Sequence, residues 1–188
     1  MFRVGIIGAE NSHAMQIGKL LNVDKKIPGV RAVAIWGETR KVARQRSEEV
    51  GIPTVVREPK EMLGSVDGVM VDHRHGKFHL PAVWPFLKAG IPLFVDKPFC
   101  FRLAEGKRFL REAKQRKVTV ISFSTLKLTQ DFAAFKKDAK KLGKPLAVAG
   151  WGPCDIKGQK QYGGVFFYGC HQIEMLLNAL GNDALDVQ

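Results

Sequence analysis

The sequence predicts an α/β protein: a doubly wound parallel sheet with helices on both faces, followed by the beginning of an α+β second domain. Two observations predict this class. Short apolar runs typical of buried strands alternate with helical patterns through residue 123, and this alternation stops there. We therefore expect a first domain at 1–123 and an incomplete second domain at 124–188.

The first domain is predicted from strands bounded by turn residues and helices with apolar residues at helical spacing. Gly51 and Gly90 each follow a helical pattern and are suited to cap a helix C-terminus. The predicted strands are 3–7, 30–36, 54–56, 66–71, 91–95 and 118–123. The predicted helices are 14–21, 41–50, 81–89 and 103–115.

The second domain is predicted to hold a helix at 131–142, a strand at 145–151 and a final helix that opens at His171 and is capped by Gly181. A loop rich in glycine, glutamine and lysine separates the last two, at 152–164. Apolar residues at 165–167 would need a covering surface, which predicts a homo-oligomer.

Composition narrows the classes of protein. The net charge is +12, but the lysines fall between apolar positions at helical spacing, so solvated helix faces are expected and nucleic acid is not expected as a partner. No apolar run reaches membrane-spanning length, and the chain opens directly into a strand pattern instead of a signal peptide. Three cysteines without close pairing suit a reducing compartment, so we expect a cytoplasmic protein.

A glycine-containing turn joins the first strand to the first helix. Gly5 and Gly8 would let the backbone approach a dinucleotide diphosphate, with Glu10, Asn11 and Ser12 beside it. The spacing is imperfect, and Glu10 would repel phosphates. The alternative is a tight strand-to-helix turn with Asn11 or Ser12 as N-cap.

The end of the second strand should carry the residue that reads the cofactor's ribose. An acid there binds the 2′-hydroxyl of NAD, and an arginine accommodates the 2′-phosphate of NADP. Glu38 favours NAD, whereas Thr39 and Arg40 favour NADP. The sequence leaves this choice open.

Three histidines follow the fourth strand. His73 and His75 would face the same side of an extended segment, with His79 nearby. Zinc usually needs three or four ligands, and no cysteine accompanies these histidines, so no metal is predicted. Contact with a ligand and a purely structural role both remain open for them.

Two residues have the chemistry to act on a substrate oxygen. Asp96, Lys97 and Pro98 follow the apolar run 91–95, and the proline ends that strand, so Lys97 would lie at the carboxyl edge where ligands bind. A neutral His171 could accept a proton near pH 7. The alternatives are a solvated lysine and a capping or core histidine.

Four segments together resemble the glucose–fructose oxidoreductase / inositol dehydrogenase (Gfo/Idh/MocA) family of NAD(P)-dependent oxidoreductases. Their order and rough spacing match the family over nearly the whole chain, with His79 between the second and third. The segments are VGIIG at 4–8, VDGV at 66–69, KAGIPLFVDKP at 88–98 and GGVFFYGCHQIE at 163–174.

The resemblance implies a Rossmann-type NAD(P)-binding domain and a substrate or oligomerisation domain. It implies hydride transfer to or from a sugar, polyol or related hydroxy compound. Lys97 would orient or protonate the substrate oxygen, and His171 would be the general base, with the substrate between them. The family's aspartate four residues before the histidine is Phe167 here, and only the beginning of the second domain is present. The alternative is a non-catalytic dinucleotide-binding or assembly protein derived from this family.

Overall fold

The computed structural model describes residues 1–154, 157 and 160–181. The chain forms two compact units, Met1–Ser122 and Phe123–Gln188. No helix in the described part of the chain is long and apolar enough to cross a membrane.

The first unit is built on a parallel sheet of six strands in the order β3-β2-β1-β4-β5-β6. The strand order reverses direction at β1, the point at which open α/β sheets bind ligands at their carboxyl edge. The strands are β1 Phe2–Ile7, β2 Val30–Trp36, β3 Thr54–Val55, β4 Gly68–Val71, β5 Leu93–Val95 and β6 Val120–Ile121. The predicted parallel sheet is confirmed, with several strands shorter than expected.

Helices connect these strands. Gly51 follows the helix Arg40–Val50 in a left-handed conformation, at φ 64°. Gly90 lies two residues after the end of the helix His79–Lys88, at φ 79°. Both conformations are those that the predicted capping roles require. The helices of this unit are α1 Ser12–Gly18, continued by a π-helical turn at Lys19–Val23, α2 Arg40–Val50, α3 His79–Lys88 and α4 Leu103–Arg116.

The core lies on both faces of the sheet. Neighbouring strand residues point to opposite faces, so Ile6 belongs to one apolar cluster with Ala14 and Ile35, while Ile7 belongs to another with Phe86. All five residues are fully buried. Helices must therefore cover both faces, which is the doubly wound arrangement.

The second unit is helical in its described part. Thr129 caps α5, Gln130–Lys141, by accepting a hydrogen bond from the amide of Phe132, and α6 spans Phe166–Leu180. The strand predicted at 145–151 is wrong: these residues are irregular. A strand needs a neighbour for its backbone hydrogen bonds, and the described residues of this unit contain no other strand.

Candidate functional site at the carboxyl edge of the sheet

The turn after β1 depends on one glycine. Gly8 has φ +118°, and a Cβ there would collide with the Asp72 carboxyl and lie 2.8 Å from the backbone nitrogen of His73. Only glycine therefore fits. We expected Gly5 to belong to this turn as well, but this expectation is wrong. Gly5 lies inside β1, where a Cβ would come 2.7 Å from the sulfur of Met62.

Asn11 joins this turn to the end of β4. Its side-chain oxygen accepts from the amide of His13 at 3.3 Å, which makes Asn11 the N-cap of α1, while its Nδ2 donates to the Asp72 carbonyl at 2.8 Å. Ser12 is the exposed first residue of the helix. The choice between the two caps is thereby settled in favour of Asn11.

Asp72 is a fully buried acid beneath the turn. Burial, followed by the charges of Asp96 and Glu10, raises the pKa of Asp72 well above its usual value, and the opposing effect of the Ala14 amide is outweighed. Burial therefore disfavours the charged form of this side chain beneath the turn. Sequence reasoning noted Asp72 at the start of the histidine-rich segment but did not select it as a site residue.

Asp96 is held as a carboxylate at the end of β5. Burial alone would raise its pKa, but the hydrogen bond and charge of His13 and the amide and charge of Lys97 outweigh burial and lower it. His13 Nδ1 lies 2.7 Å from Asp96, and the Lys97 amide donates to it at 2.8 Å. His13 was also missed; its position two residues after the N-cap is the only sequence signal.

As the sequence predicted, Lys97 lies just beyond the carboxyl end of β5; its side chain is half-buried. The Lys97–Pro98 peptide bond is cis. His79 supports this turn, because its Nδ1 lies 2.9 Å from the Pro98 carbonyl and its Nε2 lies 2.6 Å from the His73 carbonyl. Burial lowers the pKa of His79, against the opposing effect of both carbonyls. A Cβ on Gly76 would come 2.8 Å from the Pro98 ring.

His73 and His75 do not share a strand face, because β4 ends at Val71. The His73 ring is buried against Trp36, at 5.4 Å between ring centroids, and burial lowers its pKa to about 4. His75 is half-buried and caps the next turn by accepting from the Lys77 amide. Over the described ranges, no three His, Cys, Asp or Glu residues are placed to hold a metal ion.

Glu10 reaches the end of β2. We expected its carboxylate beside the glycine turn; it instead accepts from the Glu38 amide at 2.9 Å and from the Thr39 amide at 2.7 Å, with the Thr39 hydroxyl at 3.3 Å. Arg40 is the exposed first residue of α2. Partial burial and then the charge of Glu10 raise the pKa of Glu38.

His171 lies in the second unit. It is the sixth residue of α6, so the prediction that His171 opens this helix is wrong. Its Nδ1 lies 2.6 Å from the hydroxyl oxygen of buried Ser124. Glu174, one turn later, accepts from the Ser124 amide and from the Lys127 ammonium, each at 2.5 Å.

Phe167, at the position of the family's aspartate, packs its ring against Tyr162 at 5.2 Å and Tyr168 at 4.8 Å between ring centroids. Ser124, Lys127 and Glu174 had not been selected from the sequence. Glu174 alone had a signal, since it closes the motif that contains His171.

A glycine turn, a capped first helix and polar residues beyond β4 and β5 at the switch point of the sheet define the class of Rossmann-type dinucleotide-binding domains. A family model described as an oxidoreductase family with an NAD-binding Rossmann fold, Gfo/Idh/MocA, matches residues 2–124. The chain therefore belongs to this family, as its motifs had indicated. The predicted nicotinamide dinucleotide is the cofactor class of the family.

Solved structures show the same fold. A myo-inositol 2-dehydrogenase from Lactobacillus plantarum is 21% identical with a TM-score of 0.83, covering 97% of this chain and 57% of that one. A probable dehydrogenase from Thermotoga maritima is 22% identical with a TM-score of 0.79, covering 97% and 56%.

A scyllo-inositol dehydrogenase from Lactobacillus casei, solved with NAD(H) and scyllo-inositol bound, is 17% identical with a TM-score of 0.67, covering 77% and 43%. The chain thus spans little more than half the length of the first two neighbours. No curated protein matches the sequence.

Proposed function

We propose that this chain binds NAD or NADP and serves an oxidoreductase that transfers hydride to or from a sugar, polyol or related hydroxy compound. Family membership together with the position of Lys97 carries this proposal. The inositol dehydrogenases among the structural neighbours support the substrate class.

The first unit has a cradle that suits a dinucleotide. Gly8 keeps the turn free of side chain, burial of Asp72 disfavours its charged form, and Asn11 fixes the start of α1. Gly8, Asn11 and Ser12 would hold the diphosphate, and the residues after β2 would hold the ribose. His73, His75, His79, Asp96 and Pro98 would border the nicotinamide half. When bound, the nicotinamide supplies the hydride chemistry.

Lys97 would act on the substrate oxygen as a hydrogen-bond or proton donor. Its backbone is fixed from two sides, by the bond from its own amide to Asp96 and by the contact of His79 with the Pro98 carbonyl. A positioned donor stabilises the negative charge that develops on an oxygen during hydride transfer. The supporting contacts restrict the direction in which this lysine leaves the strand.

His171 would be the general base for the substrate hydroxyl. A neutral imidazole carries one proton, and Nδ1 already contacts the Ser124 hydroxyl. If Nδ1 donates to Ser124, Nε2 is left as the acceptor that a base requires. Glu174 fixes the backbone of Ser124 by accepting from its amide, so Ser124 and Glu174 would be positioning residues for this tautomer.

The second candidate is a dinucleotide-binding or assembly protein without turnover. Phe167 favours it, because the polar group that the family has at this position is replaced by a ring packed among tyrosines.

A self-associating chain in the cytoplasm fits both candidates. Val165 and Phe166 expose about half or more of their surface, at 49% and 63%, and Cys100, Cys154 and Cys170 are not in disulfides.

The experiment combines cofactor titration with turnover. We expect saturable binding of NADH or NADPH by nicotinamide fluorescence, and oxidation of a polyol or sugar in a substrate screen. Lys97→Met and His171→Ala should each lower turnover by about 10²–10⁴-fold while cofactor affinity stays within a few-fold. Lys107→Met, on the exposed face of α4, is the matched control and should change neither.

The outcomes separate the candidates. Cofactor binding without turnover on any screened hydroxy compound would favour the assembly protein. Turnover that survives both substitutions would refute the assigned roles of Lys97 and His171. Absence of binding to both cofactors would refute the proposal as a whole.

A further inference from the structure

The backbone amides just after β2 bind a carboxylate of the chain itself. The carboxylate of Glu10 takes the backbone N–H groups of Glu38 and Thr39 and contacts the Thr39 hydroxyl, at 2.9, 2.7 and 3.3 Å. These amides precede the first turn of α2, an eleven-residue helix whose N-terminus carries partial positive charge. The donors that would attract a phosphate here are already occupied by a carboxylate of this chain.

Gly37 makes this arrangement possible. A Cβ at residue 37 would come 2.8 Å from the Cβ of Ala9 and 3.0 Å from Oε1 of Glu10. Any larger residue would push the carboxylate away from the two amides. The side chain of Glu10 is half-buried as it crosses from the glycine turn to the end of β2.

The occupied amides distinguish between the two cofactors. A 2′-phosphate would bring a second anion against the Glu10 carboxylate and would find the two backbone donors taken. The 2′-hydroxyl of NAD can instead donate a hydrogen bond to a carboxylate. Arg40 is exposed at the start of α2, and the amides that Glu10 occupies belong to the two residues before it.

We propose that Glu10 is the residue that selects NAD(H) over NADP(H) in this chain, by occupying the anion position at the start of α2. This inference rests on the proposed dinucleotide-binding function. The cofactor preference is thereby assigned to Glu10 of the glycine turn, whereas sequence reasoning looked for it after β2. There, Glu38 indicated NAD and Arg40 indicated NADP, and Glu10 decides in favour of NAD.

The test measures the dissociation constants of NADH and NADPH by fluorescence for the wild type and for three variants. Glu10→Ser frees the two amides, and Glu10→Gln keeps the shape and removes the charge. Glu48→Gln removes one negative charge from an exposed position on α2 and is the matched control. Circular dichroism checks that each variant is folded.

We expect the wild type to bind NADH at least about tenfold more tightly than NADPH. Glu10→Ser should lower this ratio by about tenfold or more, mostly by tightening NADPH. Glu10→Gln should lower it by less, and Glu48→Gln should leave it unchanged.

Three results would overturn the inference while leaving cofactor binding established. They are a wild-type preference for NADPH, an unchanged ratio in both Glu10 variants, and a Glu10→Ser variant that gains equally for both cofactors. The last result would make Glu10 a general obstruction. If neither the wild type nor any variant binds either cofactor, the proposed dinucleotide-binding function itself is refuted.

Discussion

The two units use their apolar residues differently. In the first unit, Ile7, Phe86 and Phe109 are fully buried between the sheet and its helices. In the described part of the second unit, Phe132 is the only buried hydrophobic residue, while Phe135 and Phe166 expose 50% and 63% of their surface. Helical spacing of apolar residues is present in both units, so spacing predicts a helix but burial requires a second surface.

The polar clusters of the two units also differ. The first unit buries acids and histidines, including Asp72, His73 and His79, and so shifts their pKa values. The second unit joins Ser124, His171 and Glu174 by short hydrogen bonds, and its described part buries one hydrophobic residue, Phe132. Its described part is therefore held together to a larger degree by polar contacts.

The largest expected effect is the loss of stability when a buried aromatic ring is removed from the first unit, compared with a half-exposed ring in the second. Phe109→Ala should lower the free energy of unfolding of the first unit by about 3–5 kcal/mol, because it leaves a cavity beside Trp84 and Phe99. Phe135→Ala, the matched change in the second unit, should cost about 1 kcal/mol or less because the ring is half exposed. Urea unfolding measures both, and equal losses would mean that Phe135 is covered in solution.

The next effect depends on burial of a histidine in the first unit. The pKa of His73 falls from 6.5 unfolded to about 4 folded, so between these values the unfolded state binds the extra proton. Stability should therefore fall as pH drops from 6.5 to about 4, by at most about 3 kcal/mol from this residue.

His73→Phe keeps a ring beside Trp36 and should remove most of that pH dependence. Urea unfolding of both proteins across this pH range makes the comparison. An equal loss of stability in wild type and variant would show that His73 is accessible to protons in the folded state.

A smaller effect tests the polar cluster of the second unit. Glu174→Ala removes the acceptor for the Ser124 amide and for Lys127, and should destabilise this unit by about 1–3 kcal/mol. Glu112→Ala breaks an exposed pair with Arg116 on α4 and should cost about 0.5 kcal/mol. Hydrogen exchange of the α6 amides reports the local change; unaltered exchange in Glu174→Ala would contradict the importance of this cluster.

The smallest effect concerns an exposed ion pair. Arg3 donates two side-chain hydrogen bonds and its backbone amide to Asp67, which lowers the pKa of Asp67 from 3.8 to about 2. The stability that this pair contributes is present above pH 3.8 and is lost as pH falls to about 2. Asp67→Asn should therefore lose less stability than the wild type as the pH falls from 3.8 to about 2. Identical urea midpoints for wild type and variant throughout that range would show the pair to be energetically neutral.

The sheet could be predicted from sequence because its signals are local. Strand 30–36 was predicted with the bounds found, since it is an apolar run between turns. Strand 118–123 proved to be only Val120–Ile121, an edge strand that pairs along one side with Leu93 and Phe94 of β5.

The site could be predicted only in part. Lys97 was correctly placed because a proline marks the end of its strand. The reach of Glu10 to Glu38 and Thr39 joins residues 28 and 29 positions apart, and no local pattern encodes such a contact.

The start of α6 was predicted too late. Gly169 was expected to precede the helix, but the glycines with positive φ are Gly163 and Gly164, at 104° and 65°. The turn that precedes the helix is therefore made by this pair, and the aromatic residues after them already belong to the helix.

The central position of β1 has a consequence for synthesis of the protein. Its partners pair from Val30 on one side and from Gly68 on the other, so both are translated after it. Until Val71 has left the ribosome, β1 and β2 expose an apolar edge with unpaired backbone groups. The side of β1 that pairs with β4 is therefore open in the partly synthesised chain and closed in the finished sheet.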